Sequence, residues 1–137
     1  MSLSRRNLSF LLPILATADA AGQDQPLTSM TLHYDALPVR ANGENKSRAI
    51  LQGKLHGGTA IEMHETELAP GLAPHPPHHH NWDEMLMVRE GTLEVTIAGK
   101  STRLGPGSVA FAAANDEHGW RNVGETRARY YILTMGR

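Results

Sequence analysis

The run His78-His79-His80-Asn81-Trp82-Asp83-Glu84, followed after six intervening residues by Gly91, decides how the rest of the chain is read. His78, His80 and Glu84 share one parity, and on an extended chain alternate side chains point to the same face. Two imidazoles and a carboxylate aimed at one point are the donors a borderline divalent metal takes. A further donor, His118, lies downstream, with Asn122 four residues beyond it. The chain has no cysteine. That excludes a disulfide framework, a thiolate site and a cysteine nucleophile, so any metal is held by nitrogen and oxygen.

Working outward, the 137 residues suffice for one domain. Thirteen glycines and eight prolines, with little helical periodicity, predict short strands separated by turns. Just upstream of the histidines, Ala73-Pro74-His75-Pro76-Pro77 lacks ladder donors and reads as a stiff lead-in. Downstream, Glu84 to Val88 is a strand turned by Glu90-Gly91. Leu93, Val95 and Ile97 then point one way and Thr92, Glu94 and Thr96 the other, before a tight hairpin at Ala98-Gly99-Lys100. Thr102 to Leu104, Val109 to Ala112, Gly119 to Val123 and Ala128 to Leu133 complete that half, with turns at Gly105-Pro106-Gly107 and Gly124-Glu125. Toward the N-terminus, Met30 to Tyr34 is expected as a first short strand, and Asp35 to Pro38 and Asn42 to Lys46 as turns. Weak strand signals flank Gly53, and Ala60 to Leu68 is the next strand, ended by Pro70-Gly71. About nine or ten such strands predict an all-β fold, a small antiparallel jelly-roll barrel.

The first twenty residues read differently. Arg5-Arg6, the apolar run Leu8 to Ala16 and the small-x-small triplet Ala18-Asp19-Ala20 have the layout of a secretory signal, and one of twin-arginine type. The expected organisation is a signal peptide at 1–20, a linker at 21–29 and the barrel at 30–137. Export to the periplasm follows, or a cytoplasmic location if the segment is not a signal. A net charge of −1 gives no reason to expect nucleic acid or an anionic membrane as partner of the mature form.

Both halves of the chain carry spacings that resemble those of the cupins. The first cupin pattern is His-x-His, three or four residues, Glu, six residues, Gly, and it is met by His78, His80, Glu84 and Gly91. The glycine expected six residues before the first histidine is Leu72, with Gly71 one position earlier. The second pattern is met by Gly107, His118 and Asn122. Its proline is replaced by Ala113 and its second glycine by Asn115, the non-glycine residue best suited to positive φ. The resemblance implies a metal cupin with His78, His80, Glu84 and His118 as ligands to one divalent ion: iron, manganese, nickel, copper or zinc.

Three neutral imidazoles and a carboxylate leave coordination positions open for substrate. The resemblance, to quercetin-dioxygenase-like bacterial cupins, points to a dioxygenase-type oxidoreductase on a small organic molecule, with Glu84 as base. Two alternatives stand beside it: a non-redox lyase, decarboxylase or isomerase, and an exported small-molecule-binding cupin without catalysis. His64, Trp82, Trp120 and Tyr130 are candidate pocket residues, His64 as an acid or base. Trp82 and Trp120 fit packing equally well, and His64 fits a core or surface position. His75 and His79 fit a surface tract better than the site, and Asn122 a structural role. Met85 and Met87, opposite Glu84, together with Leu133 and Met135, suggest a second buried surface and a homodimer.

Overall fold

Strict inside–outside alternation builds the strands that matter most. From Ala128 to Met135 the burial alternates residue by residue, with Ala128, Tyr130, Ile132 and Thr134 inward. Glu84, Leu86 and Val88 do the same in the strand that follows the histidines. The computed structural model describes residues 26–137; the signal-like segment 1–20 and residues 21–25 of the linker lie outside the described residues. Within them the strands are β1 (Val39–Asn42), β2 (Asn45–Lys54), β3 (Ala60–Leu68), β4 (Asp83–Glu90), β5 (Leu93–Ile97), β6 (Lys100–Leu104), β7 (Val109–Ala112), β8 (His118–Asn122) and β9 (Ala128–Met135).

These strands pair antiparallel into a six-stranded sheet, β1-β2-β3-β9-β4-β7, and a three-stranded sheet, β6-β5-β8. The core lies between them. Leu68, Leu86, Val88, Tyr130 and Ile132 from the larger sheet meet Leu93, Val95 and Trp120 from the smaller. Each large side chain so buried contributes roughly 1.5–3 kcal/mol.

Two turns fix register. Ala98 and Gly99 both take positive φ, 48° and 82°, the handedness that suits a two-residue hairpin between Ile97 and Lys100. Gly91 sits at φ +81°, where a Cβ would lie 2.8 Å from the Ala128 Cα. That close approach lets the β4–β5 turn rest against the start of β9.

The N-terminal part departs from expectation: β1 (Val39–Asn42) is a strand the sequence reading did not expect, and two further segments differ. Met30 to Tyr34 forms no strand; a single 3-10 turn covers Tyr34–Ala36. A side-chain anchor replaces the ladder there: the Tyr34 hydroxyl donates to Glu65 Oε1 at 2.7 Å and accepts from Arg48 Nε at 2.8 Å. The Arg48 and Arg89 guanidiniums lie 4.7 and 4.8 Å from its ring centroid. Second, Gly53 does not interrupt β2, which runs through it opposite Ile61; the irregularity falls between Ala49 and Leu51.

Outward-facing residues of the larger sheet form an apolar row. Met85 has Phe111 on one side and Leu133 on the other, and Leu133 is followed by Met63. Phe111 and Val109, on the edge strand β7, are about half exposed (51% and 52%).

Candidate metal centre

The proline-rich loop is fastened to β8 before it reaches the site. His78 and His118 exchange backbone hydrogen bonds of 3.0 and 2.8 Å. Gly119 makes room for the loop, since a Cβ there would meet Pro77 Cγ at 3.0 Å. Two residues on, the His80 carbonyl accepts from Asn115 N at 2.6 Å. Asn115 takes φ +71°, as expected of a residue standing where the family pattern has glycine. Asp83 Oδ1 accepts from Ala114 N at 2.9 Å. Glu84 then enters as the first buried residue of β4.

This scaffold brings His78, His80 and His118 together: their nearest donor atoms all lie within 4.8 Å of one another, a group that can hold a metal ion. Glu84 lies beside them, Oε2 at 3.1 Å from His80 Nε2 and Oε1 at 3.8 Å from His118 Nε2. All four residues expected at the site therefore converge.

Hydrogen bonding fixes which nitrogen each ring offers. Carbonyl oxygens only accept, so His80 Nδ1 donates to Trp82 O at 2.8 Å and His118 Nδ1 donates to Asp116 O at 2.9 Å. In its metal-binding form each ring then offers the lone pair of Nε2. That leaves the His80 lone pair facing a carboxylate oxygen 3.1 Å away. A positive charge between the two atoms, a proton or a metal ion, satisfies both. Donors about 2.1 Å from a shared ion, at right angles to each other, are about 3 Å apart. The Nε2 atoms of His78 and His118 are buried without any hydrogen-bond partner. Burial first, and the neighbouring His75, His118, His80 and His79 after it, hold the His78 imidazole down at about 4, so it is neutral near pH 7. On each count the residues fit a divalent ion.

Aromatic rings wall the donors. Trp82 stacks on His80 (centroids 4.2 Å apart, planes at 6°), Trp120 on His118 (5.8 Å, 13°) and His75 on His78 (4.1 Å, 14°). His79 faces out and is exposed. His78, His80 and Glu84 open onto a cavity of about 260 Å³ that His64, Trp82, Trp120 and Tyr130 also line. Arg137 lines it as well, its guanidinium 5.5 Å from the Trp82 ring centroid.

His64 points inward, with Nδ1 at 2.8 and 3.0 Å from the two oxygens of Glu62. Sequence reading missed Glu62, although its parity with His64 on one strand was available as a signal. Beyond this pair the space widens toward β2 and β1, against Ser47, Ala49 and Arg40. Asn122 takes no part in the cavity. Its amide donates to Leu68 O and Thr126 O at 3.0 and 2.8 Å and accepts from Gly124 N at 2.9 Å, tying the β8–β9 turn together.

Comparison with known proteins agrees with this geometry, because residues 64–134 match the cupin domain family. The chain belongs to the cupins. Among curated relatives, this cupin is 25% identical over 115 residues to the tetracenomycin polyketide synthase protein TcmJ of Streptomyces glaucescens, covering 84% of this chain and 77% of that one. It is 33% identical over 73 residues to an L-ectoine synthase of Bordetella parapertussis, 53% of this chain and about half (54%) of that protein. In structure it resembles KdgF from Halomonas sp. with a TM-score of 0.70 at 19% identity, covering 80% of this chain and 96% of the other. The polyketide cyclase RemF from Streptomyces resistomycificus gives a TM-score of 0.64 at 18% identity, covering 80% and 81%. At those identities the two structures speak for the jelly-roll fold.

Proposed function

We propose that this cupin is a metal-dependent enzyme acting on a small oxygen-bearing organic substrate, with His78, His80, Glu84 and His118 as ligands to one divalent transition metal. The observation that carries this reading is the convergence of one ring nitrogen from each of three histidines with a carboxylate, beside a cavity of about 260 Å³ lined by His78, His80 and Glu84. Such an ion supplies a Lewis acid that polarises a substrate oxygen and lowers the pKa of what it binds.

Within that class the His64–Glu62 pair favours non-redox proton-transfer chemistry of the lyase, decarboxylase or isomerase kind. Glu62 holds the imidazole by Nδ1, which leaves Nε2 to take or return a proton in the cavity they both line. Trp82 and Trp120 shield the donors from bulk water, which strengthens their hold on a charged substrate. The relative named as an L-ectoine synthase lends support. Dioxygenase-type chemistry, with Glu84 taking the substrate proton, is the second reading; it is favoured by the nitrogen-rich donor set, which suits iron, copper or nickel.

Metal analysis of protein purified without a histidine tag, together with oxygen uptake during turnover, separates the two. Product formed without oxygen consumption, and lost in His64→Ala, supports proton transfer. Stoichiometric oxygen uptake supports the dioxygenase. Full turnover in both Glu84→Ala and His118→Ala would sink the site.

Two further proposals concern the setting. Residues 1–20 direct export to the periplasm, to be tested by fractionation of cells carrying Arg5→Lys/Arg6→Lys. A second copy of the chain covers the Phe111–Met85–Leu133 row.

A further inference from the structure

We propose that Tyr130 and Trp120 form a recognition point for an acceptor oxygen of the substrate, the oxygen of a carbonyl, carboxylate or enolate. The inference rests on the metal-centre reading above and narrows its substrate class to small compounds bearing oxygen on at least two carbons, one for the metal and one for this pair.

Tyr130 is 0% exposed and Trp120 8%, and both line the cavity beside His78, His80 and Glu84. The Tyr130 hydroxyl and the Trp120 Nε1 are nevertheless without any hydrogen-bond partner. Buried polar atoms are almost always partnered, so two orphans on one cavity wall mark a place where a ligand completes them. The two come from opposite sheets, Tyr130 from β9 and Trp120 from β8, and their rings meet edge to face at 5.8 Å. The Trp120 side chain and the Thr66 hydroxyl approach the phenol as weak hydrogen-bond partners, but neither reaches the distance and angle of a full bond, so both donors stay open to a better acceptor.

An indole N–H can only donate. Burial pushes the Tyr130 phenol well above its usual range, so it keeps its proton and donates too. Two donors on one wall select an acceptor, and an oxygen on an sp² carbon has two lone pairs to take both. Trp120 also stacks on His118, which places this oxygen close to the metal donors. An oxygen gaining negative charge during reaction is held more tightly by such a pair than its neutral precursor.

The test uses the full chain loaded with cobalt(II) and reads ligand binding from the visible spectrum. Pyruvate can chelate through two oxygens and leave a third for the pair; imidazole binds the metal and offers no acceptor. Tyr130→Phe and Trp120→Phe are each expected to weaken pyruvate about tenfold while leaving imidazole affinity within about twofold. Melting of the metal-free proteins gives an independent arm. Removing an unpartnered buried hydroxyl leaves Tyr130→Phe as stable as the parent, or more so by a few degrees. A hydroxyl that serves only the fold, through a fixed water for instance, would make that variant melt lower. Unchanged pyruvate affinity in both variants overturns the proposal, as does a wild type that binds imidazole but not pyruvate. Failure of the wild type to retain cobalt sinks the metal reading instead, and the melting comparison, which needs no metal, then decides this point.

Discussion

An imidazole whose Nδ1 is tied to a backbone carbonyl has only Nε2 to offer, and His80 and His118 are both in that state. His118 is 1% exposed with no partner at Nε2, so its replacement removes a ligand nitrogen along with the Nδ1 bond to Asp116 O. His118→Ala is expected to lower metal affinity at least about a hundredfold, measured by competition with a chromophoric chelator, with the far-UV circular dichroism unchanged. His78 supplies a pH dependence. Its imidazole stays neutral down to about 4 in the folded metal-free protein but titrates near 6.5 in the unfolded chain. As pH falls the unfolded chain takes the proton first. Stability present above about 6.5 is thus lost on the way down to about 4. Urea unfolding of chelator-treated protein at pH 7 and pH 4.5 measures the drop, and His78→Asn should shrink it. Much of this site was legible in the sequence, because parity along an extended chain is a local property that assigned His78, His80 and Glu84 to one face. Glu65 was not legible. Its burial depends on Tyr34, Arg48 and Arg89, contributed from three distant stretches, and nothing near it in sequence announces them.

Alternation at the level of the strand was the strongest signal, and it held where a strand has one wet face and one dry. That describes β4, β5 and β9. It failed at Met30 to Tyr34, where the composition suits a strand but the segment is anchored through the Tyr34 side chain instead. It was also silent at Ala98, whose φ of +48° is imposed by the two-residue turn and not by the residue's own preference. Gly91 is the turn residue that tolerates least change. Alanine there would combine a left-handed backbone with a Cβ 2.8 Å from Ala128 Cα and 2.9 Å from Arg127 O. Gly91→Ala should destabilise by at least about 2 kcal/mol, seen as a lower urea midpoint with an unchanged slope.

The two sheets of the whole molecule are unequal, six strands against three. The smaller one covers the β4–β9 region and leaves the inner face of β2 and β1 to a wide hollow. On the opposite side, the row of Phe111, Met85, Leu133 and Met63 ends at the unpaired edge of β7. Two copies related by a two-fold axis would each present this same row to the other. Light scattering at micromolar concentration should return twice the chain mass, and Phe111→Asp, on an exposed residue, should return the chain mass with the melting curve of the separated protomer still cooperative. A monomeric wild type would remove the second copy from the account. Fold class was readable from turn chemistry and strand spacing; the sheet inequality was not, because it depends on which strands pair across long stretches of chain.

Glu84 belongs to one leaf of this sandwich and His118 to the other, and the His78 backbone is clasped to His118. An ion gripped by all four side chains would act as a rivet through both leaves. Spreading them would then require letting go of the ion, so a protein stripped by chelator should admit bulkier guests and shed its shape at lower temperature than the same protein with its rivet in place.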